Sequence, residues 1–232
     1  MIAAAVLRDR GALAARILDG GGLGRIIRDL ALLIVVCAAA YGAVLGMWHG
    51  ARLAAYDAVK LPLVLLVTAT VTVGFSWIIA VASSVRLRFD QVAALTFLGL
   101  GTASVLLVSL APVAWFFTIC APAPSAATRA AHNGLYLMHT GFVAACGLAG
   151  TRTLWNAMRR LGPPRTMRSV YVLWVLSYAL AGGQVAWALR PFVGSVSPQH
   201  PVVFLRDNAL RGNVYEFIGT DIVPYFWSER RR

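Results

Sequence analysis

Apolar residues in this chain come in long blocks divided by short charged stretches, without the strict alternation of a half-buried strand. Blocks of this length predict helices able to cross a bilayer, and five are read. The first covers Leu30–His49 and follows Arg25 and Arg28. The second starts at Ala54 and runs to Ser84; from Leu61-Pro62 onward it holds roughly 25 residues without a charge. Asp57 and Lys60 are three apart and share a helix face. They predict a charged amphipathic turn that lies at the interface before the span enters lipid. The third block runs from Gln91 to about Thr118. Pro112 kinks its far end or marks the lipid boundary, and Trp115, Phe116 and Phe117 suit an aromatic belt there. The fourth, Asn133–Gly150, is the least apolar and is expected to continue past Arg152 toward Met158. The fifth, Ser169–Leu189, is interrupted by Gly182-Gly183-Gln184 and closed by Arg190-Pro191.

The flanks differ in kind. In Met1–Leu18, Arg8, Arg10 and Arg16 alternate with Ala, Val, Leu and Ile, a basic amphipathic helix suited to a membrane surface. Gly20-Gly21-Gly22-Leu23-Gly24 then acts as a hinge; it follows no strand, so it is not a phosphate loop. The basic lead is too long for a signal peptide. After Arg190 comes a tail of about 40 residues, too polar to span. Its Phe204, Tyr215, Phe217, Tyr225, Phe226 and Trp227 are more apolar surface than a solvated coil carries, so the tail is expected to fold back on the bundle. The fold class is therefore an all-α polytopic bundle. Residues 1–28 form a cytoplasmic amphipathic segment with a glycine-rich hinge, 29–190 a five-span bundle, and 191–232 an ordered extracytoplasmic tail.

Composition agrees. Of 232 residues, 59% are hydrophobic and only 13% charged, about half the charge of a soluble domain. The net charge of +12 would suit nucleic acid, but its placement does not. With the N-terminus inside, the inner segments hold Arg8 through Arg28, Arg86, Arg88 and Arg152 through Arg168; the outer loops hold Arg52, Lys60 and Arg129. That asymmetry is the positive-inside pattern, and five spans put the C-terminus outside. Cys37, Cys120 and Cys146 show no metal or redox spacing.

Candidate sites are few. Gly42, Gly46 and Gly50 lie four apart, a small-residue seam expected to pack against another span. His139 and Gln184 are the polar candidates inside spans; a titratable group there is a functional candidate by default. No carboxylate is read within a span, and His49, His132, His139 and His200 lack metal-ligand spacing. No cofactor, metal or catalytic set is expected. Arg190 is costly at its depth unless paired. It is expected to anchor the tail through Asp207, Glu216 or Asp221, with Asp57 as competing partner.

The stretches Ala55-Tyr56-Asp57-Ala58-Val59-Lys60-Leu61-Pro62, Ser109-Leu110-Ala111-Pro112 and Leu189-Arg190-Pro191-Phe192, with Pro201 to Arg206 and Gly212 to Glu216 of the tail, resemble the bacterial Yip-like membrane proteins. The resemblance covers most of the chain from about residue 50. It implies a five-span protein of a bacterial inner membrane and carries no activity. The expected role is non-enzymatic, a structural, scaffolding or complex-subunit component. Its partners are the bilayer and other membrane proteins or further copies of the chain, not nucleic acid. The rival is a channel subunit, its pore lined by Thr68, Thr72, His139 and Gln184.

Overall fold

The computed structural model describes residues 2–190, 192 and 203–205. Its regular structure is helical: α1 (Ile2–Arg8), α2 (Arg10–Asp19), α3 (Leu23–Gly46), α4 (Ala51–Ala82), α5 (Phe89–Ser109), α6 (Ala111–Cys120), α7 (Arg129–Met158) and α8 (Pro164–Leu189). Short 3-10 turns lie at Met47–His49 and Ala126–Thr128. Four helical segments, Leu23–His49, Ala51–Ala82, Phe89–Ser109 and Arg165–Leu189, are long and apolar enough to cross a membrane. Helix α7 is long enough but carries more polar residues.

Helices α3 and α4 form the most closely packed pair. A Cβ on Gly42 would overlap the Asp57 carbonyl, and one on Gly46 would come within 2.6 Å of Leu53. The matched pairs run in opposite directions, so the two helices form an antiparallel hairpin with touching backbones. Gly50 plays a different part from the one its spacing suggests. The 3-10 turn has already ended α3, and Gly50, at φ +114°, turns the chain into α4 with no atom near its Cβ position.

From this hairpin the bundle grows outward. Helix α5 packs on α3, α7 on α5, and α8 on α4. Gly150 of α7 meets the Gly99 carbonyl of α5, a second close approach. Between α7 and α8, which barely touch, Thr72, Gly99, Gly147, Trp174 and Tyr178 help line an apolar cleft of about 180 Å³.

Three expectations change in three dimensions. The third apolar block is two helices, not one: α5 ends at Ser109 and α6 starts at Ala111, with Pro112 in its first turn, where the missing N–H costs nothing. Helix α6 is too short to span and exposes Val113, Trp115, Phe116, Phe117 and Ile119. The N-terminal segment is broken at Asp9, whose side chain accepts from the Ala12 N–H at 2.9 Å and caps α2. Its apolar stripe, Val6, Leu13, Ala14 and Ile17, is covered by protein rather than left for lipid, within the core that includes Val92, Leu95 and Met158. The glycine stretch is likewise clamped. Gly20 closes α2 in the left-handed region, and the Gln91 amide of α5 donates to the Leu18 carbonyl at 2.6 Å and the Ile17 carbonyl at 3.3 Å.

Candidate functional site

The charged turn at the start of α4 is the largest departure from the linear reading. Helix α4 begins at Ala51, so Asp57 and Lys60 lie within one continuous 32-residue helix, not on an interfacial approach. Both side chains are fully buried, and a carboxylate therefore does sit inside a membrane-length helix. The cause is the glycine seam. Gly42 and Gly46 let α3 press against the α4 backbone and close off the face that carries the two charges.

The pair meets at 3.7 Å, Lys60 Nζ to Asp57 Oδ1. That is ion-pair distance but long for a hydrogen bond, and neither Asp57 oxygen has a hydrogen-bond partner among the described residues. Pro62, inside the same helix, has no N–H to give, so the Ala58 carbonyl loses its usual helical donor beside the pair.

Aromatic rings cover Lys60 from the tail side. Its Nζ lies 5.3 Å from the Phe204 ring centre and 5.7 Å from that of Phe192, distances at which a ring face attracts a cation. Phe204 also meets Tyr56 edge to face at 5.4 Å, and the Tyr56 hydroxyl accepts from Arg52 Nε at 3.1 Å. The chain beyond α8 thus returns to the first turns of α4. Linear reasoning chose Arg190 for this junction. Arg190 Nη1 donates to the Trp187 carbonyl at 2.9 Å, and its guanidinium stacks on the Trp187 ring at 3.5 Å. Asp207, Glu216 and Asp221 lie outside the described residues. Asp57 is engaged by Lys60.

A second polar contact crosses the bundle nearby. Tyr41 of α3, fully buried, shares a 2.8 Å hydrogen bond with Nδ1 of His139 on α7. Leu61, one residue past Lys60, belongs to the apolar cluster around Tyr41, as does Cys146. Trp48 donates to the Pro122 carbonyl at 3.0 Å and lies against His132, tying the α3–α4 turn to the segment after α6.

Of the four pore candidates, Thr68 and Thr72 lie one turn apart on α4, His139 is on α7 and Gln184 on α8. Thr72 spends its hydroxyl on the Thr68 carbonyl at 2.7 Å, as a threonine in an apolar helix can, and it alone of the four borders the cleft. Thr68 faces α8, where a Cβ on Gly182 would touch its methyl at 3.4 Å. His139 is turned to Tyr41, and Gln184, half-buried on α8, is engaged in a contact of its own. Cys37 and Cys146 are buried and Cys120 is exposed, all as free thiols. His200 lies outside the described residues. Among the described residues no three His, Cys, Asp or Glu side chains are grouped to hold a metal ion.

Large apolar side chains stand exposed on most of the long helices, including Leu32 and Val36 on α3, Phe75 and Ile78 on α4, Leu137 and Leu148 on α7, and Leu176 and Leu180 on α8. A soluble monomer does not carry so much uncovered apolar surface. With four helices of membrane-crossing length and apolarity, these faces define a helical membrane protein. No family model matches this chain, and neither a curated protein nor a solved structure does.

Proposed function

We propose that the chain is a five-span, non-enzymatic component of a bacterial inner membrane that serves as a structural or scaffolding subunit. Helix α7 is the remaining span. Its 30 residues reach about 45 Å, more than the hydrocarbon thickness, and its most buried polar side chain, His139, is satisfied by Tyr41. The N-terminus is cytoplasmic and the C-terminus periplasmic, as the arginine asymmetry supports. The motif resemblance to the bacterial Yip-like proteins supports the same architecture. Expected partners are the bilayer, other membrane proteins and further copies of the chain.

One observation carries the choice of scaffold over channel. Buried Asp57, Tyr41 and Thr72 are each engaged within the protein, and the Tyr41–His139 contact crosses between helices. Asp57 meets Lys60, Tyr41 meets His139, and Thr72 bonds back to its own helix. The test is a leak measurement on the purified chain in lipid vesicles loaded with potassium and a small dye. The expected result is a leak no faster than that of protein-free vesicles. A steady flux that Thr72→Val or His139→Leu abolishes would overturn the scaffold and put the channel in its place.

A further inference from the structure

Away from the ion pair, at the end of the bundle where α7 stops, three arginines from two distant parts of the chain border one pocket. Arg10 comes from the first turn of α2, and Arg159 and Arg160 follow the end of α7. The pocket measures about 250 Å³; buried Ala14, Thr153 and Ala157 form part of its lining, and exposed Asn156 adds an amide. Arg160 reaches across to α2, its Nη2 3.8 Å from where a Cβ on Gly11 would stand. None of the three guanidinium groups has an ion pair with a carboxylate among the described residues. Asp9, whose Oδ1 lies 3.8 Å from the same Gly11 Cβ position, caps the Ala12 N–H and makes no ion pair with them.

Arginines at a membrane boundary are expected from topology alone, and Arg159 and Arg160 also suit the negative end of the α7 dipole. Neither effect requires Arg10 to stand beside them. Its arrival beside them follows from the docking of α2, through Ala14 and Ile17, onto the bundle. Three like charges gathered around one polar hollow repel one another unless an anion joins them. A guanidinium offers a planar fork of donors matched to phosphate oxygens.

We propose that this pocket binds a phosphate group, supplied by the headgroup of an anionic phospholipid, with Arg10, Arg159 and Arg160 as its donors and Asn156 as an added polar contact. The site joins the N-terminal segment to the bundle through the lipid. Inorganic phosphate in solution carries the same chemistry, and the test separates the two sources.

The experiment is a thermal-stability titration of the purified full chain in a neutral detergent, with phosphatidylglycerol, phosphatidylcholine or inorganic phosphate added. Phosphatidylglycerol is expected to raise the melting temperature at concentrations where phosphatidylcholine does not. Arg10→Gln and Arg160→Gln should each weaken the apparent affinity about tenfold, the loss of one charge-assisted contact. Arg160→Lys keeps the charge without the fork and should fall between. Arg168→Gln, a charge removed outside the pocket, should leave the titration unchanged. Protection by inorganic phosphate without lipid supports the phosphate site and assigns its source to solution. Equal losses from Arg168→Gln and Arg10→Gln, or no difference between the two lipids, would overturn the site in favour of diffuse surface charge. Native mass spectrometry of the Arg10→Gln protein, which should retain less phosphatidylglycerol than the parent, checks the result where melting is too broad to read.

Discussion

Lys60 and Asp57 are both fully buried, and a charge on either is tolerable there because the other is 3.7 Å away. Burying an ion pair seldom adds net stability, but removing one partner leaves an uncompensated charge and costs about 3–5 kcal/mol. Asp57→Asn and Lys60→Met should therefore each lower the melting temperature sharply in detergent. The double variant should recover most of the loss, since two neutral side chains of similar size fill the same space. If the double variant is as unstable as the sum of the singles, the two residues are independent and the pairing does not govern the site. The spacing of three made the shared face of Asp57 and Lys60 legible from the chain. Their burial was not legible. It depends on how near α3 comes, and that is decided by glycines more than ten residues upstream.

At the scale of the element, the α3–α4 hairpin is the joint the rest hangs on. A Cβ at position 42 meets backbone, which cannot rotate aside, so Gly42→Ala should force the helices apart and lower the melting temperature. Gly74, on the same α4 helix with nothing within 4 Å of its Cβ position, is the control: Gly74→Ala should be neutral or slightly stabilising, by up to about 1 kcal/mol. Equal behaviour of the two variants would mean that the contact at Gly42 is not tight in the membrane protein. Gln91 makes a separate prediction. Its amide donates to the last carbonyls of α2, so Gln91→Ala should release the N-terminal helices while leaving the bundle intact. Trypsin cleavage at Arg10 and Arg16 should then quicken with little change in melting temperature. An unchanged cleavage rate would assign the docking of α2 wholly to its apolar stripe.

Across the whole molecule, the proposed topology predicts that a reporter active only in the periplasm works when fused after Arg232 and fails when inserted between Arg159 and Arg168. The opposite pattern overturns the five-span topology with a cytoplasmic N-terminus. The lengths of the apolar blocks and the arginines between them determined the class of this protein by themselves, because bilayer thickness and the cost of burying charge act on local sequence alone. The same local rules pointed to a kink or lipid boundary at Pro112 and to a small-residue seam through Gly42, Gly46 and Gly50. Tertiary structure decided everything that depends on a distant partner. It split the third apolar block into α5 and α6, folded the basic N-terminal segment onto the bundle, ended the seam before Gly50, and brought Tyr41 to His139. It also put Phe192 and Phe204 over Lys60 and Arg10 beside Arg160. The contacts among these join residues far apart in sequence, and helix packing geometry is what sets the distance between them.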